Sequence, residues 1–220
     1  MTTNNICAEN TEKFLAFSEC TNGDAVLSKT ATENTFPQKY DLREYGLVSP
    51  VKNQGNYGTC WAFSALASIE TSLIKNFPNI DLSELHLSYF TFSGGDNLDP
   101  VNSNAFSDAG GHTSISTSTL VQGIGPVSES VLPYDTLPET INDSIKHNKE
   151  YLISDSYMLN AYSKQKVYAD DTLNFSENQI KEMLMQKNAV SINFKFENSY
   201  NEKTQAQYMP SYSTPNHAVT

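Results

Sequence analysis

The sequence predicts an α+β protein, with helices in its first half and strands towards its end. From Cys60, apolar residues recur at helical spacing through Leu73, with small side chains between them, and Pro78 bounds this segment. Residues 189–196 instead alternate between apolar and polar side chains, which is typical of a strand with one buried face. At 220 residues, the chain is long enough for one large domain or two small layers that share a cleft.

The first part of the chain differs in composition from the rest. Residues 1–35 are rich in Thr, Asn, Glu and Ser, and they are predicted to form an extension or flexible arm outside the folded domain. That domain is predicted to occupy residues 36–220. Its beginning, 41–51, favours an extended segment because Gly46 and Pro50 interrupt the apolar residues.

Two further helix starts are predicted from the spacing of a capping box. Asp81 and Glu84 precede one short apolar stretch, and Ser176 and Gln179 repeat the same spacing ahead of another. Between these helices, residues 93–111 contain several Gly, Asp and Asn residues and are predicted to be a loop.

Composition argues against several functional classes. The net charge of −11 would repel a phosphate backbone, so no nucleic-acid partner is expected. No stretch approaches the roughly 18 to 20 apolar residues of a membrane span, and no signal peptide is visible at the start. The histidines and cysteines lack the paired spacing of a structural zinc site, so neither a metal nor another cofactor is expected.

One cysteine stands where a reactive thiolate would be stabilised. The chain has an odd number of cysteines, namely Cys7, Cys20 and Cys60, so at least one stays unpaired in the monomer. Cys60 follows a glycine-bearing segment and begins the helical pattern, so its sulfur would lie at a helix N-terminus, which favours anions. Its backbone N–H and the carboxamide of Gln54 could both donate hydrogen bonds to an oxyanion.

These residues carry a family resemblance. The segment PVKNQGNYGTCWAFSALASIE resembles the active-site segment of papain-like (cathepsin-like) cysteine peptidases. FPQKYDLREYGLVSP and LSELHLSYF are similar to flanking parts of the same family, and AVSINFKF with Asn216-His217-Ala218-Val219 is similar to its segment around the catalytic histidine. The resemblance implies a papain-like fold, with a helical left lobe, a β-rich right lobe that is incomplete after Thr220, and a cleft between them.

The resemblance also implies an activity and its residues. It predicts hydrolysis of a peptide or protein substrate, with Cys60 as nucleophile, His217 as general acid and base, and Gln54 as a stabiliser of the oxyanion. The residues predicted to line the substrate site are Gly58, Trp61, Gly110, Gly111 and Asn216. The other histidines, His86, His112 and His147, are expected to have no catalytic role.

Two departures from the family pattern, at Tyr57 and in the expected place of the orienting asparagine, keep alternatives open. Tyr57 stands where many eukaryotic relatives have a disulfide-bonded cysteine, so packing must hold this loop. The orienting asparagine of the family is expected beyond Thr220, which suggests a fragment of a longer protein with possible further domains. The low cysteine usage resembles bacterial or archaeal members, often cell-surface proteins, and residues 1–35 are either a propeptide remnant or a linker. A catalytically retired surface or adhesion module with the same fold is the alternative.

Overall fold

Helices dominate the middle of the chain, and short strands are most frequent near its end. The computed structural model describes residues 14–15, 36–92, 110–136, 141–153, 156, 172–196, 200–204, 206–207 and 215–220. Its α-helices are α1 (Cys60–Leu73), α2 (Glu84–Phe92), α3 (Thr113–Val121) and α4 (Thr172–Met185). Single-turn 3-10 helices occur at Leu42–Tyr45, Tyr134–Thr136 and Asp143–Ile145. None of the helices in these ranges is both long and apolar enough to cross a bilayer.

The described strands form three pairs. They are β1 (Phe14–Leu15), β2 (Leu152–Ile153), β3 (Ile192–Phe194), β4 (Tyr200–Asn201), β5 (Ala206–Gln207) and β6 (His217–Val219). β1 pairs with β2 in parallel, while β4 with β5 and β3 with β6 are antiparallel. In the last pair Ile192 lies opposite Val219, and Phe194 lies opposite His217. The predicted α+β class is confirmed, and the β3–β6 pair carries the predicted catalytic histidine.

Helix α1 forms the centre of the hydrophobic core. The predicted helical spacing is confirmed, because Leu66, Ile69 and Leu73 are all buried on one face. Burying each such side chain stabilises the fold by about 1.5–3 kcal/mol. Trp61 is also completely buried, and β6 contributes Ala218 to the same cluster. The first turn of α1 is therefore held firmly between the helices and the strands.

Helix α2 begins with a different cap from the predicted one. The hydroxyl of Ser83 accepts a hydrogen bond from the backbone N–H of His86 at 3.0 Å, so Ser83 caps this helix. Glu84 turns its carboxylate to Lys52 Nζ, at 2.9 Å, instead of reaching back to the helix start. The predicted capping box of Asp81 and Glu84 is therefore wrong, because the Glu84 side chain binds Lys52, which is distant in sequence but close in space.

Other local predictions also need correction. Helix α4 begins at Thr172, so Ser176 and Gln179 lie inside the helix and do not mark its start. The helix can begin earlier because no Gly or Pro lies between Thr172 and Ser176. The segment 41–51 is not wholly extended, because Asp41 accepts from the Arg43 backbone N–H and caps a 3-10 turn. Most of the predicted loop at 93–111 lies outside the described residues, as does most of the arm at 1–35.

A buried ionic cluster fixes the chain just before the predicted site. Lys52 Nζ lies 2.7–2.9 Å from carboxylate oxygens of Glu70, Asp81 and Glu84. The side chains of Glu70 and Glu84 are almost fully buried. Burial raises the pKa of the Glu84 carboxyl to about 8, although the Lys52 charge opposes this. The cluster joins the segment before α1 to both α1 and α2, and so anchors the chain two residues before Gln54.

Candidate active site

Cys60 is the first residue of α1, and its backbone N–H is available to a ligand. Thr59 precedes it as the N-cap, but the Thr59 hydroxyl makes no capping hydrogen bond. The Thr59 carbonyl accepts from the N–H groups of Ala62 and Phe63, at 2.9 and 3.3 Å. Among the described residues, the N–H of Cys60 itself has no acceptor. The free, half-buried thiol thus lies beside an unused donor at the positive end of a helix.

The loop of residues 54–59, which leads into α1, is folded back on itself. Gln54 Nε2 donates to the carbonyl of Tyr57 at 2.7 Å. Gly55 makes the turn with a φ of +64°, which favours glycine, and its N–H donates to Asn53 Oδ1 at 2.9 Å. A carboxamide nitrogen carries two hydrogens, so Gln54 keeps a second one beyond its bond to Tyr57. Half-buried Gly58 completes the turn towards Cys60.

Tyr134 bridges the two ends of the 54–59 loop. Its hydroxyl donates to the backbone carbonyl of Gln54 at 3.0 Å and lies 2.6 Å from Thr59 Oγ1. Its ring packs edge-to-face against Phe63, with centroids 4.8 Å apart, and against Tyr57, at 6.3 Å. The predicted packing of Tyr57 is thus provided by aromatic rings. Nothing in the sequence near Tyr134 indicates this bridge.

Helix α1 and the chain leading into β3 lie side by side and run in opposite directions. Ser68 Oγ donates to the carbonyl of Ala189 at 2.7 Å. One helical turn earlier, Ser64 Oγ lies 2.5 Å from Ser191 Oγ. Four residues of helix rise about 6 Å and two residues of strand about 6.6 Å, so the two segments stay in step.

The same register brings the start of β6 to the level of Cys60. One more turn back along α1 reaches Cys60, and two more residues along β3 reach Asn193. Asn193 pairs with Ala218, whose neighbour is His217. Ala218 is buried in the α1 core, and β6 packs directly against that helix. Cys60 and His217, which are distant in sequence, therefore lie on adjoining elements at the same end of α1.

His217 lies half-buried between aromatic rings. Its imidazole is 5.8 Å from the Phe194 ring and 6.1 Å from the Phe196 ring, between centroids. The neighbouring Asn216 bonds through its carboxamide to the backbone of Phe196, accepting from its N–H at 2.7 Å and donating to its carbonyl at 3.2 Å. Asn216 was predicted to bind substrate; its backbone N–H is used on Phe194, and the groups that it can still offer are its backbone carbonyl and the second hydrogen of its carboxamide.

Of the glycines predicted to bind substrate, Gly111 packs on the Trp61 ring. Gly110 has a φ of +64°, and a Cβ on Gly111 would lie 2.7 Å from the Trp61 ring. The Trp61 ring is 0% exposed, so the prediction that it contacts substrate needs correction. The Trp61 ring packs instead against the backbone of exposed Gly111, on the side that faces the core. Thr113, at the start of α3, then accepts from Asn193 Nδ2 at 3.0 Å and links this segment to β3.

Chemically, the site offers a thiol, an imidazole on a neighbouring strand and hydrogen-bond donors, with an exposed glycine backbone alongside. Within the described ranges, no three His, Cys, Asp or Glu side chains are grouped so that they could hold a metal ion. Covalent attack by sulfur on a carbonyl needs a nucleophile, a proton carrier and donors for the oxyanion, all of which these residues can supply.

Comparison with known proteins assigns the family. Residues 36–220 match the family model described as papain family cysteine protease. The chain therefore belongs to the papain family, as the resemblance of its active-site segment predicted. The bacterial or archaeal source suggested by its low cysteine usage stays a prediction, because the relatives include plant and viral proteins.

Particular relatives show how far the similarity extends. Viral cathepsin from Cydia pomonella granulosis virus is 35% identical over 118 residues, which are 53% of this chain and 31% of that protein. Ananain from Ananas comosus is 28% identical over 137 residues, 62% of this chain and 36% of ananain. The matched segments thus span about a third of these relatives. The fold is shared with a solved structure, that of the cysteine protease and lectin-like domains of Cwp84, a surface layer associated protein of Clostridium difficile. The TM-score is 0.54 at 24% sequence identity, and the match covers 81% of this chain and 37% of that chain.

Proposed function

We propose that the protein is a cysteine peptidase that cleaves peptide bonds through an acyl-enzyme on Cys60, with His217 as general acid and base. The observation that carries the proposal is the position of Cys60, which begins a core helix with its N–H unused, at the level of the strand that starts with His217. Membership of the papain family supports the same chemistry, since the related viral protein is named as a cathepsin.

Acylation begins with attack by the Cys60 thiolate on the carbonyl carbon of the scissile bond. A carbon–sulfur bond forms, and the carbonyl electrons move onto oxygen. The Cys60 N–H and the second carboxamide hydrogen of Gln54 donate to this oxyanion. Such donors matter because removing one typically costs about 100- to 1,000-fold in kcat.

His217 then moves the protons that complete the reaction. Its imidazolium protonates the leaving amine as the carbon–nitrogen bond breaks, which leaves a thioester on Cys60. The neutral imidazole next takes a proton from water, whose oxygen attacks the thioester. Collapse of this second intermediate breaks the carbon–sulfur bond, releases the carboxylic acid and restores the thiolate beside the imidazolium. The rings of Phe194 and Phe196 limit the movement of the imidazole between these steps.

The substrate is proposed to lie as an extended peptide along the backbone of half-buried Gly110 and exposed Gly111. Their lack of side chains lets another backbone approach closely, and the buried Trp61 ring keeps this surface in place. Gly58 and the backbone carbonyl of Asn216 would border the same peptide nearer Cys60 and His217. Side-chain preference would then depend on the walls beyond these glycines.

The test is hydrolysis of a peptide library by the protein and two matched variants. Cys60→Ala should abolish hydrolysis, because it removes the sulfur that would form the acyl-enzyme. His147→Ala should retain the parental rate, because this exposed histidine lies outside the site. Parental activity in Cys60→Ala would exclude the assigned nucleophile. A folded parental protein that cleaves no peptide would favour a retired papain-fold module instead.

A further inference from the structure

Among the residues that the structure describes, the Tyr134 hydroxyl is the one side-chain group that bonds to both ends of the 54–59 loop. We propose that Tyr134 is a positioning residue that holds the two oxyanion donors, Gln54 and the Cys60 N–H, at the separation that catalysis needs. This inference rests on the proposed function, because the donors matter only if an oxyanion forms. Tyr134 itself need not touch the substrate.

The direction of both hydrogen bonds follows from the groups involved. The Gln54 carbonyl can only accept, so the single hydrogen of the Tyr134 hydroxyl is used there, at 3.0 Å. The Thr59 hydroxyl must then donate to the Tyr134 oxygen, at 2.6 Å. A phenol hydroxyl can donate one hydrogen bond and accept another, so the hydroxyl hydrogens of Tyr134 and Thr59 are both used. The Thr59 hydroxyl bonds to Tyr134 and does not cap α1, and a cap of this kind would in any case bind the second or third N–H of the helix, so the Cys60 N–H stays free for another acceptor.

The Tyr134 ring is itself held in place. Its backbone N–H donates to Glu129 Oε1 at 2.6 Å. Phe63, from the first turn of α1, packs against its ring, and Tyr57 packs against it from within the loop. Burial raises the pKa of the Tyr134 hydroxyl, which keeps it protonated and able to donate. The bridge is thus fixed to the core helix as well as to the loop.

Loss of the hydroxyl would release the loop at both ends. Thr59 is fully buried, so its hydroxyl would lose its partner without gaining water. The Gln54 carbonyl would lose its donor at the same time. Because the loop contains Gly55 and Gly58, its backbone has unusual freedom to shift once untied. A shift of about 1 Å in a positioned group can cost about 100-fold in rate.

The test compares Tyr134→Phe with Tyr45→Phe, which removes the same hydroxyl from an exposed ring. Active sites are counted with an epoxysuccinyl inhibitor, so that kcat is expressed per reactive Cys60. We expect kcat of Tyr134→Phe to fall about 10- to 100-fold with KM within about twofold, and Tyr45→Phe to match the parent. Alkylation of Cys60 by iodoacetamide should stay at the parental rate, because sulfur displaces iodide and no oxyanion forms.

Two further variants separate positioning from a general loss of stability. Combined with Gln54→Ala, the Tyr134→Phe change should cost less than it does alone, because one of its targets is already gone. At the other end of the bridge, Thr59→Ser keeps the hydroxyl and should retain the parental kcat. Thr59→Val removes the hydroxyl and should lower kcat. The two Thr59 variants test the same proposal if Tyr134→Phe does not fold.

The outcomes are distinguishable. A Tyr134→Phe protein with fewer reactive sites but parental kcat per site would overturn the inference and leave the proposed function intact. Equal losses in kcat and in iodoacetamide alkylation would also overturn it, because the thiol itself would then be affected. A parental protein that neither hydrolyses peptides nor labels at Cys60 would overturn both proposals.

Discussion

Ser64 Oγ donates to the carbonyl oxygen of Val219 at 2.7 Å, and this bond ties the helix of Cys60 to the strand of His217. The Ser64 hydroxyl also lies 2.5 Å from Ser191 Oγ and 3.0 Å from Thr220 Oγ1. Ser64 is buried, one turn along the helix from Cys60. A single small side chain thus connects α1 with β6 and with the residue that immediately precedes β3.

Replacing Ser64 with alanine should therefore weaken the link between the two parts of the site. Val219 is half-buried, so loss of this hydrogen bond should lower the free energy of unfolding by about 0.5–1.5 kcal/mol, the usual net contribution of one such bond. Ser72→Ala is the matched control, because the one bond of the Ser72 hydroxyl to a described residue lies within its own helix, to the carbonyl of Ile69. Urea unfolding measures both. Equal effects of the two changes would show that the connection to the strands contributes nothing.

Gly111 should not tolerate a side chain. An alanine Cβ would lie 2.7 Å from the ring of Trp61, which is completely buried and cannot move aside. Such overpacking typically destabilises by about 1–3 kcal/mol, and the displaced backbone should also lower kcat/KM. Gly46→Ala is the control, because a Cβ there meets no atom within 4 Å and adds only the strain of a positive φ. A Gly111→Ala protein as stable and active as the parent would contradict the packing described for this segment.

Glu84 should make stability fall as the pH rises. Burial raises its folded-state pKa from 4.5 to about 8, so between these values the folded protein binds more protons than the unfolded chain. Its contribution is fully present below about pH 4.5 and is lost through about pH 8, with a slope of at most about 1.4 kcal/mol per pH unit. Urea unfolding from pH 5 to 8 should show this decline, and Glu84→Gln should flatten it. An unchanged profile in Glu84→Gln would mean that Glu84 is ionised throughout.

The local features of the site could be predicted from the sequence. The apolar spacing that begins at Cys60 specifies helix α1, and the glycines before it specify a turn, so the place of the thiol follows from neighbouring residues alone. The resemblance of the segment around His217 gave the second residue. Neither pattern contained the pairing of β3 with β6, which sets the level of His217 along α1.

The features that could not be predicted depend on contacts between distant residues. Trp61 was expected to meet substrate, but Gly111 covers its ring. Glu84 was expected to help cap its helix, but Lys52, 32 positions earlier, draws its carboxylate away. Tyr134 bridges a loop that precedes it by 75 residues or more. Spacing within one segment contains no information about such partners.

The most direct test of the account is the rate at which an epoxysuccinyl peptide labels Cys60, compared between the protein, His217→Ala and His147→Ala. We expect a single adduct, located by mass spectrometry on the peptide that contains Cys60 and absent from Cys7 and Cys20. His217→Ala should slow the labelling by about 100-fold or more, and His147→Ala should leave it unchanged. Labelling of Cys60 at the same rate in all three proteins, or no labelling there at all, would contradict a thiolate and imidazole acting together.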